Sequence, residues 1–247
     1  MFRKELRTII YNKEIGIKMS LGYRLQQIAD MVPETCRSVA DIGADHALLP
    51  IYLMENGKID YAVIGELRRK PFLRARAAVK ETSFANKISV RSGDGLEVLM
   101  PGEVDTVILA GLGGDVIYSI LNQLHASTFL HYILQPMSRA YKVRSFCAQH
   151  GWKIEQEILL CDNQRYYTVL MVVPGAQPYK LTDPELEYGS LILQQKDELS
   201  LKYFHFLYSQ NERMLSNLRN CKDNIQLEEL VKVRLRALEE LINGSTT

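Results

Sequence analysis

Two β-rich runs, WKIEQEILL at 152–160 and RYYTVLMVV at 165–173, are separated only by the polar stretch CDNQ. Strands that close in sequence can pair only as an antiparallel hairpin, because a parallel crossover needs a dozen or more residues to bring the chain back. Upstream the pattern is different. Residues 38–42, 61–66, 88–91, 104–110 and 130–135 read as strands, and 46–56, 71–82, 114–124 and 141–150 read as helices. Runs such as YAVIG and TVILA are apolar without alternation, which marks a parallel sheet covered on both faces. The expected fold is α/β, a Rossmann-like parallel sheet that ends in an antiparallel hairpin.

Ahead of this sheet, LGYRLQQIADMV places Leu21, Leu25, Ile28, Ala29 and Val32 at helical spacing, and Pro33 helps to end the run. Past Pro174-Gly175 and Pro178 the composition shifts. Residues 185–219 and 226–243 contain no proline and only Gly189 as glycine, with apolar residues at 192, 199, 203 and 206 and at 227, 231, 235, 238 and 242. Two amphipathic helices joined at NCKDN, a coiled-coil-like antiparallel hairpin, are expected there, packed on each other or on the sheet. The expected division is a domain over 1–178 with an N-terminal helical extension, and a helical domain over 179–247. The heptad spacing is too irregular to specify a dimer seam, so a monomer or weak dimer is expected.

A chain of 247 residues that is 47% hydrophobic can bury one substantial core. Cys36, Cys147, Cys161 and Cys221 lie far apart with no CxxC pair, so neither a zinc site nor a disulfide framework suggests itself and a reducing compartment fits best. The first twenty residues carry charge throughout, and no run of eighteen apolar residues occurs, so a cytoplasmic protein without a membrane span is expected. The net charge of +1 hides a segregation: Glu66 to Arg91 holds eight Lys or Arg against two Glu, whereas Tyr179 onward holds nine basic against eleven acidic residues. The cluster RRKPFLRAR is either a solvated helix face or a surface for phosphates.

The turn after the first strand, DIGADH, has one glycine where a dinucleotide fingerprint has three. Ala44 and His46 put side chains where backbone amides would cradle a diphosphate, and Asp41 and Asp45 would repel one. Those carboxylates suit an ammonium-bearing ligand instead. Glu66, ending the second strand 23 residues beyond Gly43, is placed to take both hydroxyls of an adenosine ribose. SGDGL follows the third strand, where Asp94 could reach an adenine amino group, and ILAGLGGD follows the fourth, where Gly111, Gly113 and Gly114 leave room for a flat base. Gly and Asp at strand ends often only make turns; here they recur at successive strand ends.

With RLQQIADMV, DIGADHALLP, GELRRKPFLRA, VRSGDGL, LAGLGG, LQPM and GWKIEQEILLCDNQRYYTV, the chain resembles the bacterial tRNA (adenine-22-N1)-methyltransferase family of the TrmK type. These are class I S-adenosylmethionine-dependent methyltransferases, whose sheet also ends in an antiparallel hairpin. The resemblance spans residues 20–173, and the family's coiled-coil appendage matches the C-terminal helices. Four positions depart from its motifs: Lys70 replaces a glycine, Leu48 or Leu49 a tyrosine, Leu112 a methionine and Met137 the asparagine of LQPN.

The resemblance implies S-adenosyl-L-methionine as cofactor, tRNA as partner, no metal and no membrane. It implies a cofactor site of Arg24, Asp41, Gly43, Asp45, His46, Glu66, Leu67, Asp94, Gly95, Ala110, Gly111 and Gly113. Toward the RNA it implies Leu112 and Gly114, with Arg68, Arg69, Lys70, Arg74 and Arg76 as the basic surface. No residue declares itself a general base. Gln135 and Tyr167 are candidates for contacting the base, each with a structural role as the simpler reading. A lone histidine such as His46 is ordinarily a hydrogen-bonding residue at a helix start, and Arg24 is as easily a surface residue. Met137 and Lys70 also admit a relative that binds RNA with weak or no methyl transfer, or that acts on another nucleobase. A nicotinamide oxidoreductase conflicts with the missing glycines and the reversed final strands.

Overall fold

The computed structural model describes residues 20–175, 177–218 and 225–244. The charged leader, Cys221 and the NCKDN joint lie outside the described residues. In chain order the elements are α1 (Tyr23–Asp30), β1 (Ser38–Ile42), α2 (Leu48–Glu55), β2 (Tyr61–Glu66), α3 (Arg69–Lys80), β3 (Ile88–Ser92), β4 (Thr106–Leu112), α4 (Gly114–Leu121), β5 (His131–Pro136) and α5 (Ala140–His150). They continue with β6 (Lys153–Asp162), β7 (Arg165–Val173), α6 (Asp183–Tyr188), α7 (Ser190–Gln195), α8 (Glu198–Leu218) and α9 (Ile225–Gly244).

The strands form one mixed sheet in the order β3-β2-β1-β4-β5-β7-β6. β1 pairs in parallel with β2 and β4, and β2 with β3, whereas β6 and β7 pair antiparallel. This is the α/β architecture expected from the sequence. β6 and β7 run further toward each other than CDNQ suggested: Asp162 faces Arg165, so the turn is only Asn163-Gln164. Both turn residues have positive φ, 49° and 61°, the backbone that matches the twist of a tight hairpin. The chain divides into two compact units, residues up to Gly111 with Ser119–Leu134, and Leu112–Tyr118 with Gln135 onward.

In the first unit, Gly111 near the end of β4 is exposed, while β4 is buried from Thr106 to Leu109 and β1 and β2 are buried beyond their first residue. This is the consequence of apolar runs without alternation. The β1–β2 register, Ile42 opposite Gly65, brings the Gly43 amide onto the Gly65 carbonyl at 2.8 Å and sets Glu66 beside the turn after β1. The next loop is pinned similarly: Ser92 faces Glu66, and the Gly93 amide donates to the Glu66 carbonyl at 3.2 Å.

In the second unit the single helix expected over 185–219 is three. Gly189, at φ +97°, separates α6 from α7, and a side chain there would collide with the Glu157 carboxylate. Lys196, also left-handed, separates α7 from α8, whose first turn is capped by Asp197 accepting from the Ser200 amide at 2.7 Å. α8 and α9 pack on each other and onto the final hairpin around Leu159, Tyr188, Ile192, Phe204 and Leu238, so both packing partners foreseen for these helices are used. Tyr208 donates to Glu239 at 2.8 Å along the seam.

Arg144 and Glu157 anchor this unit with side chains 1% and 0% exposed. Arg144 on α5 donates from Nε to Glu157 on β6 at 2.7 Å, and from Nη1 to the carbonyls of Leu186 and Glu187 at the end of α6 at 2.8 and 2.9 Å. One guanidinium therefore ties a helix, a strand and a helix C-terminus. Arg144→Met leaves Glu157 buried without its cation and should lower stability by about 3–5 kcal/mol, most of it recovered when Glu157→Leu is added. Urea unfolding of the single and double variants checks this; a double variant as unstable as the single one contradicts it.

Candidate functional site

A cleft of about 320 Å³ opens at the carboxyl ends of β1 and β4, in the first unit. Seven of the sequence-predicted residues line it: Arg24 from α1, Asp41, Gly43, Asp45 and His46 from the end of β1 and the turn after it, and Ala110 and Gly111 from the end of β4. Leu25, Ala44, Ala47, Leu48 and Leu49 line it as well, although none of them is among the expected ligand contacts. α2 starts at Leu48 and not at His46, because Ala47 adopts φ 56°. No side chain caps that first turn, so the helix presents its amino end, with its partial positive charge, in the cleft wall.

Charge in the cleft is mixed. Asp41 is buried, and burial pushes its carboxyl up to about 7, with the Glu66 carboxylate adding to the rise and Arg24 opposing it. Glu66 is buried too, and its Oε1 has no hydrogen-bond partner among the described residues. Burial raises its pKa, Asp45 adds to the rise, and Arg74 and Arg68 counter it. A buried carboxylate oxygen without a donor is costly unless a ligand supplies one. Asp45 is held from outside by Arg74, whose Nε and Nη2 donate to its two oxygens at 2.6 Å each, and His46 Nε2 lies 3.6 Å from it.

Leu67, next to Glu66, is 63% exposed. Asp94 begins the short 3-10 turn at Gly95 without capping it, so its carboxylate is not spent on its own backbone. That loop is fixed by Gln123, which accepts from the Leu96 amide at 2.6 Å and donates to the Asp94 carbonyl at 3.3 Å. Gln123 lies 27 residues from Leu96, a separation that left no local signal in the sequence. Arg68, Arg69, Lys70, Arg74 and Arg76 are exposed at the start of α3 or along it, but Arg74 is engaged with Asp45.

The remaining predicted residues, Leu112, Gly113, Gly114, Gln135 and Tyr167, belong to the second unit. Gly114 has a packing reason of its own: its amide donates to the Ser138 carbonyl at 2.9 Å, and a Cβ would run into the carbonyls of Ser138 and Arg139. Gln135 is fully buried, donating to the Pro136 carbonyl at 3.2 Å and lying 3.5 Å from the Met137 sulfur. Tyr167 is half-buried on β7 opposite Leu160.

Glu66 is not part of the cleft lining but ends the neighbouring strand, so a ligand that suits both bears both charges and extends hydroxyl donors to Glu66. An amino-acid tail joined to a ribose fits: its carboxylate suits Arg24 and the start of α2, its ammonium suits the aspartates, and its hydroxyls suit Glu66 Oε1. Asp41 and Asp45 place carboxylates where a dinucleotide site presents backbone amides to a diphosphate. Among the described residues no helix is long and apolar enough to cross a membrane, and no group of three or more His, Cys, Asp or Glu is placed to hold a metal ion.

Known proteins agree with this ligand. The profile of a family described as "Methyltransferase domain" matches residues 21–170. A tRNA (adenine(22)-N(1))-methyltransferase of Bacillus subtilis (strain 168) is 31% identical over 237 residues, which cover 92% of this chain and 98% of that protein. The crystal structure of the B. subtilis M1A22 tRNA methyltransferase TrmK matches with a TM-score of 0.80 at 30% identity, covering 90% of this chain and 99% of that one. M. capricolum TrmK in complex with its natural cofactor product S-adenosyl-homocysteine matches with a TM-score of 0.79 at 26% identity, over 91% and 99% of the two chains.

The raised carboxyl of Asp41 has a measurable consequence. It titrates near 7 in the folded chain against 3.8 ordinarily, so the folded state binds the proton more tightly between those values. The resulting stability is present at low pH and lost as pH rises through about 7. Asp41→Asn should therefore remove a fall in stability between pH 4 and 7, on the order of 1.4 kcal/mol per pH unit at its steepest, and leave the variant the more stable at pH 8. The same variant should bind S-adenosylhomocysteine more weakly at pH 8. Thermal melts across pH with calorimetry check both; a variant less stable than the parent at pH 8 contradicts the assignment.

Proposed function

We propose that this chain, which belongs to the tRNA (adenine(22)-N(1))-methyltransferase family, transfers the methyl group of S-adenosyl-L-methionine to N1 of an adenine in tRNA, at position 22 as its relative's name describes. The observation that carries this reading is the unpartnered Glu66 Oε1 at the end of β2, beside a cleft walled by Arg24 and two aspartates. When bound, the cofactor supplies a methyl group already activated by its sulfonium.

The residues then have defined tasks. Glu66 accepts the two ribose hydroxyls, and Leu67 offers apolar surface to the adenine ring while Asp94 takes its amino group. Arg24 and the start of α2 hold the carboxylate, and Asp41 and Asp45 face the ammonium. None of these groups needs to gain or lose a proton during transfer, so positioning supplies much of the rate, up to about 7–11 kcal/mol for ideal alignment. N1 lies on the Watson–Crick edge, so the acceptor base must be unpaired or swung out before reaction. The exposed cations Arg68, just before α3, and Arg69, Lys70 and Arg76 on it attract the tRNA backbone. The methyltransferase domain occupies 1–178 and the helical domain 179–247, in a cytoplasmic monomer or weak dimer.

Tritium transfer from labelled S-adenosyl-L-methionine to unmodified tRNA, with the product digested and identified as 1-methyladenosine, tests the reading. No transfer, or transfer to another base, overturns it. Reversing two charges, Arg68→Glu with Lys70→Glu, should lower the slope of log affinity for tRNA against log salt by about 1–2. An unchanged slope returns α3 to a solvated face.

A further inference from the structure

We propose that Arg139 and Lys142 grip a phosphodiester of the tRNA strand carrying the acceptor base, and that Asp115 is the anion that holds these two cations until RNA displaces it. This rests on the reading of the chain as a tRNA methyltransferase and names a substrate contact in the second unit.

Asp115, in the first turn of α4, takes both Arg139 Nη1 and Lys142 Nζ. All three side chains are exposed or nearly so, at 47%, 58% and 38%. Lys142 and then Arg139 hold the Asp115 carboxyl below its usual range, so the group is one anion shared by two cations, with a charge of +1 left over. Ion pairs this exposed contribute little to stability, so the fold does not require the cluster.

Its geometry is nevertheless built. Arg139 has φ 52°, in the left-handed region where an L side chain costs about 1–2 kcal/mol and Gly or Asn is the usual occupant. The backbone on both sides of it is pinned: Gly114 donates to the Ser138 carbonyl at 2.9 Å, Met137 donates to the Leu112 carbonyl at 2.8 Å, and the Lys142 amide donates to the Arg139 carbonyl itself at 3.0 Å. The two cations therefore stand on a rigid frame, with less ordering cost when a ligand arrives. Exposed Met137, Tyr118 and Tyr141 lie on the same short segments, and Tyr118 is braced edge-on against Phe146 at 5.7 Å between ring centres. Fixed cations interleaved with apolar and aromatic surface match an unpaired RNA strand, whose phosphates need charge and whose bases need faces to stack on.

The roles have opposite signs, which makes them separable. Asp115 competes with phosphate, so Asp115→Asn should tighten tRNA binding and steepen its salt dependence. Arg139→Asn keeps a residue that tolerates the left-handed backbone; combined with Lys142→Gln it should raise KM for tRNA and lower the salt slope by about 1–2. Affinity for S-adenosylhomocysteine should stay unchanged in every variant, and each should melt as cooperatively as the parent. If the double variant unfolds, Arg139→Asn and Lys142→Gln singly, each lowering the slope by about 1, carry the test. A parent that methylates tRNA while all variants keep its KM and salt slope overturns this proposal alone, as does an Asp115→Asn variant that binds tRNA more weakly. A parent that neither binds nor methylates tRNA overturns the function on which it rests.

Discussion

Asp41 and Glu66 lie at the ends of two adjacent parallel strands, both buried and both with raised pKa values. Burying two carboxylates that repel each other opposes folding. The in-register pairing of β1 and β2 leaves no choice about where those side chains emerge, and in the proposed complex the ligand's ammonium and two hydroxyls would relieve both. Arg24 offsets part of the cost in the free protein. The same register places the Gly43 turn on the Gly65 carbonyl and delivers the loop after β3 to the Glu66 carbonyl, so the positions proposed for the cofactor follow from strand pairing.

The two units are stabilised by different chemistry. The first relies on apolar strands covered on both faces, with its polar groups gathered at strand ends. In the second, a buried guanidinium, Arg144, binds one oxygen of the Glu157 carboxylate and two helix carbonyls at once, and α8 and α9 cover the final hairpin with aromatic and aliphatic side chains. The Arg144 bonds reach one strand and the end of one helix, so the guanidinium specifies how α5, β6 and α6 meet.

Much of this was legible in the sequence. Continuous apolar runs gave the strands, the short CDNQ interval gave the hairpin, Asp41, Glu66 and Gly111 stood out by type and spacing, and Ala110 came from the family resemblance. What the sequence withheld depended on distant contacts. Gly189 breaks a helix because the Glu157 carboxylate occupies the space a side chain would need. Gln123 organises the Asp94 loop from 27 residues beyond Leu96, and Arg74, one of several similar cations, turned out to be the partner of Asp45. Gly114 read as room for a base, and its missing side chain also makes room for the chain's own carbonyls.

The central claim is that Glu66 Oε1 is a hydroxyl acceptor for an adenosine ribose. Calorimetry with S-adenosylhomocysteine and its 2′-deoxy analogue, on the parent and on Glu66→Ala, measures this directly. A hydrogen bond to a charged group contributes about 1.5–3 kcal/mol, so the parent should lose tenfold or more in affinity for the analogue, and the variant should bind both ligands equally weakly. An equal loss in parent and variant, or undiminished affinity for S-adenosylhomocysteine in Glu66→Ala, would contradict the account.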